Sequence, residues 1–356
     1  MGGGYGYPAP PPVLEALHKA VDHGVLGYEL PSKILRETVA ARLGRLYRWK
    51  VSPEMVVTVA GTVVGFNIAA WAFCTPEKGY LVQPPVYNEF HDIQPALGIP
   101  QYDAPMVKIV EGSLLRYEID WDAFKRESKK AGMFLLCSPH NPLGMVFSRA
   151  ELTKMAEVCL ENDVLIVADE IHSELLLGEQ KFLPMASIAP EIAKHTITLV
   201  SASKAFNVPG LFCAFAIIPD LETRERFTKM AERLKINANS LGMIAAQAAL
   251  SGKCDGWLKE CRRYLKANRD FVVDYAARYM PGICITVPEA TYLAWLDCTQ
   301  LEIDGSSYEF FLKEARVALT DGVKFGEGGG GHVRLNFGST RKTVKQALTR
   351  MKRALP

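Results

Sequence analysis

The sequence predicts an α/β protein built on a mainly parallel sheet, and three observations carry that prediction. Short apolar runs recur at residues 55–60, 79–83, 133–137, 164–168, 196–200 and 212–218. They rarely alternate polar with apolar residues, as expected of strands covered on both faces. Between them lie turn-rich loops and segments of helical spacing, and that alternation argues for βαβ units across about residues 50–250.

The chain has 356 residues, 49% of them apolar and 22% charged, so it can bury a sizeable core and is not wholly disordered. Lys plus Arg is 41 against 39 Asp plus Glu. This balance gives no electrostatic reason to expect nucleic acid or an anionic membrane as a partner.

Residues 1–47 hold a Pro-rich stretch at 8–12, a helical stretch, and then His23-Gly24-Val25-Leu26-Gly27-Tyr28. Residues 55–74 carry no charge over the length of a membrane span. Gly61, Thr62, Gly65 and Asn67 interrupt them, and a strand, a tight loop and a buried helix fit better. Segment 149–162 places Leu152, Met155, Ala156, Cys159 and Leu160 on one helical stripe, with Ser148 as its N-cap. After about 250 the chain turns basic and helical (257–279). It then gives short strands at 284–287 and 292–297 and a last helix at 341–355. The expected organisation is a large domain, 48–250, and a smaller one formed by both ends, 1–47 and 251–356.

The Gly-rich run 326–331 has no βαβ context and is not read as a dinucleotide site. The eight cysteines form no CxxC pair and sit mostly in apolar runs, which suits free thiols in a reducing cytoplasm. No metal-ligand spacing is present, and the N-terminus has neither a basic nor an apolar export region. A cytoplasmic protein is expected.

In an open parallel sheet, ligands bind beyond the carboxyl ends of the strands. Those ends here run into Gly61-Thr62-Val63, Asn141, Asp169-Glu170-Ile171-His172 and Ser201-Ala202-Ser203-Lys204. The N–H groups of Thr62 and Val63, opening a helix, make a cradle for a phosphate, and Ser201 and Ser203 could add hydroxyls. A lysine whose pKa is lowered by burial can form a Schiff base with an aldehyde. A carboxylate facing a pyridine nitrogen keeps that ring protonated and electron-accepting. Phosphate, aldehyde and pyridinium are the handles of pyridoxal 5′-phosphate. Each residue also has a plainer reading: Asn141 a turn, Asp169 a helix cap, Lys204 a solvated lysine, His172 a core histidine, Arg334 a structural ion pair.

In their order and spacing, SPHNPLG (138–144), ADEIH (168–172) and SASKAFNVPG (201–210) resemble the fold-type-I pyridoxal-phosphate enzymes of the class I/II aminotransferase superfamily. Within it, DEIH, SKAFN, QPPVYNEF, PEATYLAWLD and HVRLNFG are similar to the MalY/PatB group of cystathionine β-lyase-like C–S lyases. The resemblance runs from about Pro8 to the C-terminus. It implies a seven-stranded, mainly parallel sheet flanked by helices, plus a smaller α+β domain. It also implies that Lys204 holds the cofactor and moves the Cα proton, and that Asp169 pairs with the ring nitrogen. By the same resemblance Asn141 and His172 bond the 3′-oxygen, Tyr87 stacks on the ring, and Thr62, Val63 and Ser201 hold the phosphate, with Ser203 beside them as a further hydroxyl. Tyr28 would reach the neighbouring subunit's phosphate site in a homodimer with shared active sites. Arg334 would clamp the substrate carboxylate. Tyr7 lies in Tyr5-Gly6-Tyr7-Pro8, which replaces an acidic Met-Asp-Phe-Pro segment of relatives, and is expected beside the substrate.

The implied reaction is β-elimination from an S-substituted L-cysteine, giving a thiol, pyruvate and ammonia. Transamination, or decarboxylation or oxidative deamination of a cysteine conjugate in a biosynthetic pathway, stays open as an alternative.

Overall fold

A computed structural model describes residues 4–356. Its strands are β1 (Val56–Val59), β2 (Gly79–Val82), β3 (Gln101–Asp103), β4 (Met106–Glu111), β5 (Leu114–Ile119), β6 (Ala131–Cys137), β7 (Leu165–Asp169), β8 (Thr196–Val200), β9 (Ala214–Ile217), β10 (Cys284–Thr286), β11 (Leu293–Asp297), β12 (Thr320–Asp321) and β13 (His332–Asn336). Seven of them form one sheet in the order β1-β9-β8-β7-β6-β2-β3. Only β9 runs antiparallel to its neighbours. All six apolar runs read from the sequence are strands of this sheet. The seventh, β3, has three half-buried residues and too short a pattern to read.

The sheet is covered on both faces, which is why its strands read as continuous apolar runs. Helices Thr62–Phe73 and Leu221–Leu234 pack on one face, and Trp121–Ser128 and Arg149–Glu161 on the other. Ser148 caps the last of these in a capping box with Glu151, whose side chain accepts from the Ser148 N–H in return. Helix Thr62–Phe73 sits close on the sheet because its first turn carries Gly65. A Cβ there would meet Leu199 Cδ2 of β8 at 2.8 Å. No helix among the described residues is long and apolar enough to cross a membrane.

A second sheet has the order β12-β13-β11-β10-β5-β4, and so draws strands from 106–119 as well as from the C-terminal part of the chain. Helices Asp255–Tyr279 and Arg341–Ala354 pack together beside it. Helices Pro11–His23 and Lys33–Tyr47 lie against Ser240–Leu250. Ahead of them, residues 4–7 run along the end of β13, where Gly6 N–H donates to Gly338 O and Asn336 Nδ2 to Gly4 O. The eight cysteines are all free thiols.

Candidate active site

Strands β1, β6, β7 and β8 are mutually parallel, so their carboxyl ends open on one edge of the sheet. There a cavity of about 360 Å³ is lined by Thr62 after β1, Asn141 after β6, Asp169 and His172 at the end of β7, and Lys204 after β8. Tyr87 closes one side, and the second sheet supplies Arg334 of β13 and Thr320 of β12. Seven of the residues singled out in the sequence therefore converge on one space.

The electrostatics of that space are unusual for a protein interior. Asp169 is buried, and burial pushes its carboxyl up to about 6. The Ile171 N–H, donating at 3.2 Å, the Thr62 side chain and the Lys204 charge only partly oppose this. Lys204 is pulled below its usual value by burial; Asp169 works against that shift, and Arg334 adds to it. His172 is held well below the usual imidazole range by burial and by the same two cations, so it is neutral. Its Nδ1 is buried with no hydrogen-bond partner. Arg334 donates from Nη1 to Asn141 Oδ1 at 2.8 Å and from Nη2 to Thr320 Oγ1 at 3.3 Å.

Helix Thr62–Phe73 starts at Gly61, and no side chain caps it. Its first N–H groups, those of Thr62 and Val63 among them, are therefore open to an anion. Ser201 behaves differently. Its hydroxyl caps the short helix Ala202–Ala205, accepting from Ser203 N–H at 3.0 Å, and donates to Cys213 O at 2.7 Å. Tyr7 does not line the cavity; its hydroxyl donates to Ser339 O at 2.6 Å and its ring packs edge-on against Tyr264. Tyr28 lies fully exposed in an irregular segment between two helices.

Several further residues line the cavity that the sequence did not single out, though two of them, Glu89 and Tyr292, lie inside the motifs QPPVYNEF and PEATYLAWLD. Tyr292 is buried in the cavity wall, with its ring edge-on to both His172 and Tyr5. It follows Thr291, whose φ of 71° is rare for a β-branched residue. That turn is held by the Thr291 N–H, which donates to Leu175 O, and by Thr291 Oγ1, which accepts from Leu293 N–H. Glu89, Tyr308, Asp321 and Lys324 also line the cavity. Only the placement of the second sheet against the first brings most of them to it.

The Asp169 shift gives a stability prediction for the cofactor-free protein. A raised folded-state pKa means that the fold binds this proton more tightly than the unfolded chain does. The stabilisation is complete below the unfolded value of about 3.9 and is lost as pH rises through about 6. Asp169→Asn should flatten that stretch. Its urea stability relative to wild type should rise from pH 4 to 7 by up to about 3 kcal/mol. Glu170 is also raised, mainly by burial and in part by the Asp169 charge, so the comparison is made in a Glu170→Gln background. A difference that stays constant across this range would refute the assignment.

The sheet order, the single antiparallel strand and a lysine–aspartate pair at the parallel strand ends define a fold-type-I pyridoxal-phosphate enzyme. The chain belongs to the aminotransferase class I and II family, whose family model matches residues 3–351. It is 34% identical over 351 residues to the cystathionine β-lyase PatB of Bacillus subtilis, covering 98% of this chain and 89% of the relative. Cystalysin of Treponema denticola, solved with its pyridoxal 5′-phosphate cofactor, superposes with a TM-score of 0.94 at 29% identity, over 99% of this chain and 89% of that one. The C–S lyase of Staphylococcus hominis in complex with L-cycloserine gives 0.92 at 29% identity, covering 99% and 87%.

The residues present fit that cofactor. The open helix start suits its phosphate, and the buried, destabilised Asp169 carboxylate suits a cationic ring nitrogen. The orphaned His172 Nδ1 suits a ring oxygen.

Proposed function

We propose that this protein is a pyridoxal 5′-phosphate-dependent C–S lyase that eliminates the β-substituent from an S-substituted L-cysteine, yielding a thiol, pyruvate and ammonia. The observation that carries the reading is the convergence of Lys204, Asp169 and Arg334 on one cavity, in a chain 34% identical to a cystathionine β-lyase. The bound cofactor supplies an electron sink that makes the substrate's Cα–H acidic.

The chain's own residues do the rest. Arg334 binds the substrate carboxylate and fixes which Cα bond lies beside Lys204. Lys204, its pKa lowered by burial, would hold the cofactor at rest and take the Cα proton in turnover. The β-thiolate then leaves and takes up a proton to become the thiol, and water hydrolyses the released aminoacrylate to pyruvate and ammonia. Asp169 would hold the ring nitrogen, Asn141 and His172 the 3′-oxygen, and Tyr87 would cover the ring. Thr62 and Val63 offer backbone N–H groups to the phosphate, with Ser201 and Ser203 beside them. Tyr7 acts from behind the cavity wall, through the Tyr5 ring stacked on it and Tyr292.

The enzyme acts as a homodimer in the cytoplasm. Val25, Leu26, Tyr28, Leu30 and Ile34 are all exposed on one stretch, which suits contact with a second copy and delivery of Tyr28 to its phosphate site. Eight free thiols suit a reducing compartment.

The test is a product analysis of the holoenzyme with an S-alkyl-L-cysteine and with cystathionine, without keto acid. Pyruvate and thiol in equal amounts are expected. A requirement for keto acid, or a decarboxylated or oxidised conjugate in place of pyruvate, would overturn the assignment to elimination.

A further inference from the structure

A second concavity, of about 1230 Å³, shares no lining residue with the catalytic cavity. It lies between the end of helix Lys33–Tyr47, the start of Arg149–Glu161, the loop 173–183 and the start of Asp255–Tyr279. Its inner wall is electrically balanced: Arg42 is paired with Glu174 and with Asp255, and Arg45 lies 3.5 Å from the latter. The rim is not. Arg48, Arg149, Lys181 and Lys259 have no carboxylate within ion-pair distance among the described residues, and Arg262 donates only to the Leu176 carbonyl. Against these five cations stands one uncommitted acid, Glu179, in a chain whose whole formal excess is +2.

A solvated surface disperses such charges, since like charges around a low-dielectric concavity repel one another and focus a positive potential into it. Here four separate chain segments bring them together. Three of the five are arginines, whose planar forks match phosphate oxygens. Tyr47, half-buried and packed edge-on against the buried Phe182 with ring centroids 5.5 Å apart, adds an aromatic side chain to the same groove. We infer that this groove binds a phosphorylated small molecule of the nucleoside di- or triphosphate class, with the phosphates on the arginine rim and the planar base against Tyr47.

Calorimetric titration of the holoenzyme, whose cofactor already fills the catalytic phosphate subsite, tests this with ADP, pyrophosphate and adenosine in metal-free buffer. ADP should bind more tightly than pyrophosphate, and adenosine most weakly. Combined R48E, R149E and K259E, all exposed and remote from the catalytic cavity, should weaken ADP by about tenfold or more while leaving lyase kcat/KM unchanged. The charge-neutral pair R149Q and K259Q should fall between, which guards against a folding defect in the triple variant. Absence of ADP binding at low salt, or equal binding by wild type and both variants, would overturn the site. Pyrophosphate binding as tightly as ADP, or an acidic peptide displacing ADP at equal charge concentration, would overturn the ligand class.

Discussion

Lys204→Ala is expected to lower kcat for pyruvate formation by roughly 10,000-fold while leaving the fold intact. The lysine sits after β8, partly buried, where desolvation and Arg334 both favour its neutral amine and Asp169 opposes them. Desolvation thus makes this amine easier to deprotonate than an ordinary solvated lysine, which is the direction a general base needs. Lys204→Arg separates the two roles. It keeps the positive charge that Asp169 sees, but a guanidinium does not deprotonate in this range, so it should lose as much activity as the alanine variant. After borohydride reduction of the Schiff base to a stable secondary amine, wild type should retain the cofactor on denaturing gel filtration and both variants should lose it. Arginine activity within about tenfold of wild type would mean that Lys204 serves as a charge and that another group moves the proton.

How much of this site could be read beforehand depends on where each residue comes from. Thr62, Asn141, Asp169, His172 and Lys204 were legible because continuous apolar runs announce parallel strands, and parallel strands deliver their following residues to one edge. Arg334 was legible only through its motif, since no pattern in HVRLNFG says that β13 will fold back over the other sheet. Tyr292 was hidden for a further reason. Its position depends on a left-handed Thr291, a conformation that a β-branched residue adopts only when its surroundings force it. Strands β4 and β5 belong to the second sheet although they lie in sequence among the strands of the first, and a local pattern carries no such information. Ser201 lies where its motif suggests, yet its hydroxyl is spent on a helix cap and a carbonyl, a commitment set by the short turn before Lys204.

The second large effect is expected at Arg334. Its guanidinium has no carboxylate partner among the described residues; it is held by Asn141, Thr320 and the face of Phe325, whose centroid lies 4.8 Å from the guanidinium carbon. Burial lowers its pKa to about 10, so it stays cationic at neutral pH, an uncompensated charge facing the cavity. A substrate carboxylate completes that arrangement. Arg334→Lys keeps the charge but loses the two-pronged geometry and the bond to Asn141, and should lower kcat/KM by about 30-fold to several thousand-fold, mainly through KM. A substrate amide provides the control, because an S-alkyl-L-cysteinamide has no carboxylate to clamp. The variant should lose far less on the amide than on the acid, and an equal loss on both would show that Arg334 does not act by clamping the carboxylate. Because Asn141 Oδ1 is anchored by this arginine, its Nδ2 is free to face the cavity. Arg334→Ala should therefore also shift the absorbance of the bound cofactor, an effect that loss of substrate binding alone does not produce.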